Sequence, residues 1–303
     1  MARSQSINSA IRKGIILAGG TGSRLYPATL SLSKQLLPLY DKPMIYYPLS
    51  ILMQLGIRDI LIVATPEHLP IFIKLLQTGR WLGIHLQYLA QAFPDGIAKP
   101  FIQAKHFING EPIAMILGDN IFYGDNLIDQ LKMAMNPLSG AHIFAYPVDD
   151  ISAYGAVQFD RDYQPISLIE KPALCQKGYA VTGLYYYDSQ VVDFAHQIRY
   201  SHRGELEITD INQCYLDAST LMVHRLNAAH TTWFDLGSAK MLLQAAQFVA
   251  AWQQKENKMM ACLEAIAYRN HWLSQEEFAK QVDRLPKNDY QRYLMHVLES
   301  TIA

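Results

Sequence analysis

The sequence predicts an α/β protein: a Rossmann-like open mixed sheet flanked by helices, followed by a helical C-terminal segment. Short, almost wholly apolar runs alternate with helical patterns through the first half of the chain. Residues 154–187 are strand-rich, and residues 238–252 are strongly amphipathic with a helical remainder. Apolar runs of this kind indicate parallel strands that helices cover on both faces. We therefore expect an α/β domain at residues 13–240 and a helical segment at residues 241–303, packed on that domain or on a neighbouring subunit.

The elements follow one another along the chain at regular spacing. The first strand, residues 14–18 (GIILA), ends at a pair of glycines. Later strands are expected at residues 60–65, 85–91, 113–117 and 141–146, and helices at residues 43–55, 67–77, 97–107 and 126–135. Pro43 suits the first turn of its helix, and Asp41 is a candidate cap. Ligands of such sheets bind beyond the carboxyl ends of the strands, where the loops at residues 19–24 and 118–120 lie.

Composition excludes several classes of protein. Of the 303 residues, 50% are hydrophobic and 17% are charged, which excludes a disordered chain. The net charge of −1 argues against nucleic-acid partners and polybasic membrane binding. The three cysteines form no CxxC pair, and no apolar run approaches the roughly 18 residues of a membrane span. The N-terminus also lacks the apolar stretch of a secretory signal. We predict a cytoplasmic protein with no nucleic-acid or membrane partner.

A glycine-rich loop follows the first strand directly. It reads Gly19-Gly20-Thr21-Gly22-Ser23-Arg24. Glycines let backbone N–H groups approach an anion closely, and the arginine adds a positive charge. A dinucleotide fingerprint would need glycine where Leu25 stands, and a P-loop would need a Gly-Lys pair, which the chain lacks. The loop is therefore a phosphate loop of another kind or an ordinary glycine-rich turn.

An ordered set of motifs runs through nearly the whole chain. The motifs are GIILAGGTGSR at residues 14–24, SKQLLP at 33–38, YDKPMIYYPLS at 40–50, Gln91 with PDG at 94–96, LGDN at 117–120, EKP at 170–172, VTGLY at 181–185, RGELEITD at 203–210 and WFDLG at 233–237. This set resembles the motifs of the sugar-1-phosphate nucleotidylyltransferases. The residues within the motifs are similar to those of the members that use dTTP and glucose 1-phosphate. One glycine loop alone would be a weak signal, but the ordered set is specific.

The resemblance implies one reaction. A phosphate oxygen of glucose 1-phosphate attacks the α-phosphorus of dTTP, dTDP-glucose forms, and pyrophosphate leaves. This is the first step of dTDP-sugar biosynthesis, for example of dTDP-rhamnose. Both reactants are anions, so catalysis must neutralise charge and align the attack in line. No covalent protein nucleophile is needed.

The resemblance also implies which residues act. Arg24 would contact the triphosphate, Lys34 the phosphates at the reacting centre, and Lys171 the sugar phosphate. Asp119 and Asp235, which lie 116 residues apart, would hold Mg²⁺. Magnesium prefers a few carboxylates together with phosphate oxygens and water. Taken singly, an aspartate after a buried strand is more often a helix cap, and a lysine before proline is more often a solvated loop residue.

The resemblance implies, in the same way, which residues bind and select the substrates. The implied nucleotide-binding residues are Leu17, Gly19, Gly20, Thr21, Gly22, Gln91 and Gly96, of which Gln91 and the Gly96 backbone would read the thymine edge. The implied sugar-binding residues are Tyr154, Gly155, Glu170, Val181, Thr209 and Trp233. Without the resemblance, Tyr154 and Trp233 would be assigned to the core.

The sequence departs from the family pattern at three places, and it leaves alternatives open. Lys99-Pro100 replaces Gln-Ala, Ile169 replaces an acid before Glu170, and Leu236 replaces a threonine after Asp235. One rival is a uridylyltransferase on the same fold, and another is a catalytically weakened regulatory relative. Family members form homotetramers and often carry a second nucleotide-sugar site for feedback inhibition. Residues 44–53 and 238–252 are the candidate interface.

Overall fold

The computed structural model describes residues 11–20, 22–135, 138–173 and 175–300. The strands within these ranges are β1 (Lys13–Leu17), β2 (Pro38–Leu39), β3 (Lys42–Pro43), β4 (Asp59–Ala64), β5 (His85–Ala90), β6 (Ile113–Leu117), β7 (Asn120–Gly124), β8 (Ala141–Val148), β9 (Gly155–Phe159), β10 (Pro165–Glu170), β11 (Gly178–Tyr187), β12 (Leu221–Arg225) and β13 (Thr231–Asp235). The helices there are α1 (Tyr46–Gln54), α2 (Leu69–Leu76), α3 (Lys99–Gln103), α4 (Lys105–Ile108), α5 (Leu127–Ala134), α6 (Val191–Gln197), α7 (Ile208–Asp217), α8 (Ala239–Glu256), α9 (Leu263–Arg269), α10 (Gln275–Asp283) and α11 (Asp289–Ser300). None of these helices is long and apolar enough to span a membrane.

Nine strands form one mixed sheet, as the sequence predicts. Its order is β10-β9-β11-β6-β1-β4-β5, and β8 pairs with both β11 and β12. The strands β6, β1, β4 and β5 are parallel, with Leu17 aligned between Val63 and Leu117. By contrast, β11 runs antiparallel to β6, β8 and β9. The sheet therefore has a parallel part and an antiparallel part, which meet at the β6–β11 pair, and β12 is added to the antiparallel part as a parallel partner of β8.

Helices cover both faces of the sheet because the side chains of each strand alternate between them. Ile16 packs with residues of α1, α2 and the C-terminal helices, such as Leu49, Phe72 and Phe278. Its neighbour Ile15 packs on the other side with residues of α3, α4, α6 and α7. Burial on both faces explains why the parallel strands are apolar along their whole length.

Two predicted helices differ from those observed. The helix expected at residues 43–55 begins at Tyr46, since Lys42 and Pro43 form β3, paired with β2. Asp41 does not cap it, because both oxygens of its carboxylate accept from Lys42 Nζ at 2.7 Å. The helix expected at residues 97–107 is two helices that meet at Ala104, whose ψ of 12° leaves the helical range. Pro100 lies in the first turn of α3, where a missing N–H is tolerated.

A two-stranded ladder, β7 with β13, was not predicted. The two strands are antiparallel and pair Asn120 with Asp235. The sequence analysis assigned residues 118–120 to a loop, whereas Asn120 begins β7. The ladder matters for function because it brings residues more than a hundred positions apart into register.

The C-terminal segment is helical, as predicted. Ser238 caps α8 through a bond from the Met241 N–H at 3.3 Å. The later helices pack on the α/β part: Asn270 donates to the Met53 carbonyl at 2.9 Å, and Gln281 donates to the Trp81 carbonyl at 2.6 Å. The predicted boundary at residue 240 falls inside α8, so a division of the chain there stays a proposal.

Candidate active site

The glycine loop bends sharply at the carboxyl end of β1. Gly20 has φ of 138° and Gly22 has φ of 59°, a backbone region that favours glycine. A Cβ on Gly22 would lie 2.8 Å from the Thr29 methyl carbon, so the position also lacks space for a side chain. Thr21 lies outside the described residues. The three glycines Gly19, Gly20 and Gly22 line a cavity.

We call the space beside this loop the loop cavity. Its volume is about 250 Å³. The predicted site residues that line it are Leu17, Gly19, Gly20, Gly22, Arg24, Lys34 and Asp119. Arg24 lies directly against Gly237, where a Cβ would be 2.6 Å from the guanidinium. The structure therefore brings together a glycine loop, two cations and a carboxylate that the sequence placed in three separate motifs.

Asp119 is held through both carboxylate oxygens. Lys34, which is buried, donates from Nζ to Oδ2. The amide of Asn120 donates to Oδ1 at 3.1 Å. The sequence predicted Lys34 and Asp119 as separate contacts to phosphate and metal, and the structure shows them as an ion pair.

Asp235 reaches the same place through the β7–β13 ladder. The next residue, Leu236, donates its N–H to the Asp119 carbonyl at 3.0 Å. Burial raises the pKa of the Asp235 carboxyl, and the charge of Asp119 raises it further, against the opposing influence of Lys34 and Arg24. Two carboxylates that repel one another in a partly buried position favour a shared cation.

This donor set fits a divalent metal that also binds substrate. Within the described ranges, no group of three or more histidine, cysteine or acidic side chains could hold a metal. Two carboxylates are, however, enough for Mg²⁺ when phosphate oxygens and water complete its octahedron. Asp119 and Asp235 are therefore compatible with a metal that arrives with a phosphorylated ligand.

A second and larger space, which we call the network cavity, adjoins the loop cavity. Its volume is about 590 Å³, and Arg24 and Asp119 line both cavities. The predicted site residues on its remaining walls are Tyr154, Gly155, Glu170, Lys171, Val181, Thr209, Trp233 and Asp235. The antiparallel strands, β13 and α7 thus bring all six predicted sugar-binding residues to one space.

Glu170 lies at the centre of a hydrogen-bond network in this cavity. Thr209 donates to its Oε2 at 2.5 Å, and Arg203 donates to its Oε1 at 3.3 Å. The ammonium of Lys171 is 3.7 Å from the same carboxylate. Arg203 also bonds Glu207 at 2.7 Å. Sequence reasoning did not select Arg203 or Glu207, although both belong to the RGELEITD motif.

Asn120 is a second residue that sequence reasoning missed. It is buried, and its Oδ1 accepts from the Trp233 indole N–H at 2.6 Å and from the Gly183 N–H at 3.0 Å. Because its amide nitrogen donates to Asp119, the residue links the carboxylate to the wall of the network cavity. Its place in the LGDN motif was the available signal.

Comparison with known proteins identifies the family. A family model described as nucleotidyl transferase matches residues 13–251. The chain belongs to the nucleotidyl transferase family. Two relatives named glucose-1-phosphate thymidylyltransferase match over nearly their whole length. The one from Neisseria gonorrhoeae is 48% identical over 286 residues, covering 94% of this chain and 99% of the relative. The one from Mycobacterium tuberculosis (strain ATCC 25618 / H37Rv) is 45% identical over 287 residues, covering 95% and 99%.

Solved structures agree with this family. A Bacillus anthracis chain assigned as a glucose-1-phosphate thymidylyltransferase, in complex with sucrose, is 38% identical with a TM-score of 0.72 and covers 78% of this chain and 94% of its own. UDP-glucose pyrophosphorylase complexed with UDP-glucose has a TM-score of 0.70 at 20% identity, covering 80% and 99%. At that identity the second likeness shows the shared fold alone.

The two remaining nucleotide-binding predictions lie beside the loop cavity. Gln91 and Gly96 are not among its lining residues. The Gln91 amide nitrogen donates to Asp95 Oδ1 at 2.9 Å and to the Gly96 carbonyl at 3.1 Å. Gly96 has φ of 107° and packs against the backbone of Leu206. Because neither residue lines the cavity, their role in nucleotide binding stays a prediction.

The three departures from the family pattern have different surroundings. Leu236 is fully buried and packs with Leu39 and Met44 in the core, so its side chain points away from Asp235's partners. Ile169 lies on β10 with its side chain partly exposed. Lys99 faces Asp95 and the Tyr200 hydroxyl, 3.7 Å and 3.3 Å away. The Lys99 side chain therefore contacts Asp95, which accepts a hydrogen bond from the predicted binding residue Gln91.

Proposed function

We propose that this chain transfers a thymidylyl group from dTTP to glucose 1-phosphate, giving dTDP-glucose and pyrophosphate. The observation that carries the proposal is the junction of the two cavities at Arg24 and Asp119. A glycine loop lines one cavity, and a polar network suited to hydroxyl groups lines the other. Two reactants bound side by side would meet at the shared residues. The curated relatives from Neisseria and Mycobacterium carry the name of this activity.

The positive side chains suit an attack by one phosphate on another. Arg24 reaches the junction from the loop, and Lys34 lies buried beside it. Lys171 stands on the opposite side, in the network cavity. These three cations would offset the repulsion between the reactants and hold the attacking oxygen in line with the α-phosphorus. The reaction needs no covalent intermediate on the protein.

Asp119 and Asp235 would hold Mg²⁺ at the junction. When bound, the metal would neutralise charge on the phosphates. The protein's own contribution is to orient the two carboxylates: Lys34 and Asn120 fix Asp119, while the ladder fixes Asp235. Burial and the charge of Asp119 raise the pKa of the Asp235 carboxyl, and a bound cation would offset the repulsion between the two carboxylates.

The network cavity would bind the sugar. Glu170 has its carboxylate oriented by Thr209 and Arg203, so it can accept hydrogen bonds from sugar hydroxyls. Tyr154 and Trp233 pack against each other, with ring centroids 5.3 Å apart, and form an aromatic wall. A wrong sugar would leave polar groups of this cavity without partners, which is the usual source of strong discrimination.

A pyrophosphate-release assay tests the proposal. Purified protein would receive Mg²⁺, each of dTTP and UTP, and glucose 1-phosphate or another sugar 1-phosphate. We expect release with dTTP and glucose 1-phosphate at the highest kcat/KM. Preference for UTP would instead support a uridylyltransferase, and no release with any pair would support a silent regulatory relative.

We further propose a cytoplasmic homotetramer that supplies dTDP-sugars such as dTDP-rhamnose. Residues 44–53, one of the two candidate interface segments, are mostly buried within the chain itself. The exposed Leu243 on α8 favours the other segment. Light scattering at micromolar concentration would show a tetramer, and a monomer would contradict the proposal.

A second nucleotide-sugar site for feedback inhibition is also proposed. A cavity of about 200 Å³ lies at the far end of β7 from Asn120, and Tyr123, Trp252, Lys258 and Arg269 are among its lining residues. Aromatic rings can stack on the base of a nucleoside diphosphate, and cations can bind its phosphates. Inhibition by dTDP-sugars that is non-competitive with dTTP would support this site, and purely competitive inhibition would contradict it.

A further inference from the structure

The orientation of the Gln91 side-chain amide is settled by its neighbours. Its nitrogen donates to Asp95 Oδ1 at 2.9 Å and to the Gly96 carbonyl at 3.1 Å. A carboxylate and a carbonyl can only accept hydrogen bonds, so the NH₂ group must face them. The opposite orientation would bring the amide oxygen against two other acceptors. Gln91 therefore presents its NH₂ to the protein and its oxygen to the other side.

Asp95 is itself fixed from several directions. Its Oδ2 lies 3.7 Å from the Lys99 ammonium, and the side chains of the two residues are about one quarter exposed, at 21% and 27%. Its backbone carbonyl accepts from the Leu206 N–H at 2.8 Å. Lys99 also donates to the Tyr200 hydroxyl at 3.3 Å. The carboxylate thus uses one oxygen for Gln91 and the other for Lys99.

The free oxygen of Gln91 lies over the glycine loop. Oε1 is 3.6 Å from the position that a Cβ on Gly19 would occupy, and Gly19 lines the loop cavity. Because Gly19 has no side chain, this residue does not cover Oε1. Among the residues that the structure describes, none donates a hydrogen bond to Oε1, which leaves this oxygen as an acceptor for a ligand.

We propose that Asp95, held by Lys99, is a specificity-determining residue that locks Gln91 as a hydrogen-bond acceptor toward the nucleobase. The proposal rests on the function proposed above, in which the loop cavity binds the nucleotide. A locked acceptor selects a base whose edge carries a ring N–H, as thymine and uracil do at N3. Cytosine carries an acceptor at N3 and is rejected, because two acceptors would then face each other.

The lock depends on the charge of Asp95. An aspartate carboxylate cannot donate, whereas an asparagine in its place can turn its own amide and donate to Gln91. In the Asp95→Asn variant only the Gly96 carbonyl still opposes the reversed orientation of Gln91, so the orientation that offers NH₂ to the base becomes more accessible. Removing the ammonium of Lys99 loosens Asp95 without changing its chemistry, so Lys99→Met has a smaller effect in the same direction.

The test compares kcat/KM for dTTP, dUTP and dCTP in the wild type and both variants, with glucose 1-phosphate as acceptor. We expect Asp95→Asn to reduce the preference for dTTP over dCTP at least about tenfold, and Lys99→Met about threefold. The preference for dTTP over dUTP should not change, because both bases carry the N3–H. Lys105→Met, which alters an exposed lysine on α4, is the matched control and should leave all three values unchanged.

Calorimetric binding of dTTP and dCTP without the sugar phosphate supplies a readout independent of turnover, and the same loss of preference is expected. An unchanged ratio in Asp95→Asn would overturn the inference, as would an equal loss for all three nucleotides, which indicates a merely structural role. If Asp95→Asn does not fold, an unchanged ratio in Lys99→Met overturns it. A wild type that turns over no nucleotide would instead contradict the proposed function.

Discussion

The loop cavity and the network cavity share lining residues, Arg24 and Asp119 among them, but are built by opposite means. The loop cavity depends on backbone torsions and on missing side chains: Gly20 and Gly22 have positive φ, and Gly237 leaves space for the Arg24 guanidinium. The network cavity depends on side chains that bond one another, with Glu170 held by Thr209 and Arg203. The first cavity should therefore be sensitive to added atoms, and the second to lost hydrogen-bond donors.

The largest effect is expected where the two cavities meet. Asp119→Asn keeps the shape of the side chain but removes the charge that pairs with Lys34 and would bind the metal. We expect turnover to fall at least about a hundredfold with the fold unchanged. Steady-state kinetics across a Mg²⁺ titration, with thermal unfolding in parallel, measures both quantities.

Asp125→Asn is the matched control, because Asp125 is an exposed aspartate just beyond β7. It should behave like the wild type. Near-normal turnover of Asp119→Asn would contradict the proposed metal site. It would also remove the reason for treating the junction of the two cavities as the reacting centre.

Adding one carbon should damage the loop cavity. In Gly237→Ala the new Cβ would lie 2.6 Å from the guanidinium of Arg24, whose flexible end must move away. Misplacing a charge at the reacting centre should lower kcat/KM for dTTP about ten- to a hundredfold. In an Arg24→Ala background the same substitution should have no further effect, since the two changes act on one interaction. Additive losses in this double-mutant cycle would contradict the explanation.

Removing one donor should damage the network cavity. Thr209→Val has nearly the same volume but cannot donate to Glu170, whose oxygen is 2.5 Å from the threonine hydroxyl. We expect KM for glucose 1-phosphate to rise about three- to tenfold, with KM for dTTP unchanged. Thr209→Ser keeps the hydroxyl and should restore the wild-type value. A rise in both KM values would show that the cavities are not independent.

The smallest effect concerns stability, away from both cavities. His142 on β8 and His224 on β12 lie with ring nitrogens 3.2 Å apart, and burial lowers the pKa of both, that of His224 to about 4. The lowered pKa values keep both rings neutral in the folded protein near neutral pH. Their contribution to the free energy of unfolding is therefore complete above about pH 6.5, the pKa of histidine in the unfolded chain, and is lost as pH falls toward 4. Because His224 is partly exposed, we expect a loss of only about 1–2 kcal/mol in urea unfolding.

His224→Asn should reduce the dependence of the free energy of unfolding on pH between about 6.5 and 4. His202→Asn, at an exposed position, should not change it. The KM values should be unaffected by either change. A pH profile of His224→Asn that matches the wild type would exclude the histidine pair as the source.

The sequence predicts the parallel part of the fold well because its signals are local. Apolar runs such as residues 113–117 coincide with β6, and the glycine loop follows β1 as expected. The start of α1 was wrong because Lys42 and Pro43 pair with β2, a contact that propensity does not reveal. The ladder of β7 with β13 was missed for the same reason, since each strand is recognisable only beside its partner.

The site shows the same difference between local signals and long-range contacts. The residues that family motifs mark, such as Glu170 and Thr209, line one cavity. The partners that orient them were not found, because Asn120 and Arg203 act through hydrogen bonds to residues distant in sequence. A motif shows that a residue type is required at a position, but only the folded chain shows what it bonds.

The β7–β13 ladder has a consequence for the protein during its synthesis. Its strands enclose residues 125–230, which include most of the antiparallel part of the sheet. A nascent chain can pair β1, β4, β5 and β6 and form the glycine loop long before Thr231–Asp235 leave the ribosome. Such a chain carries Asp119 but not Asp235. If the proposed roles of these residues hold, an unfinished molecule would offer the glycine loop but only one of the two carboxylates, and it would not consume nucleotide before its last strand is in position.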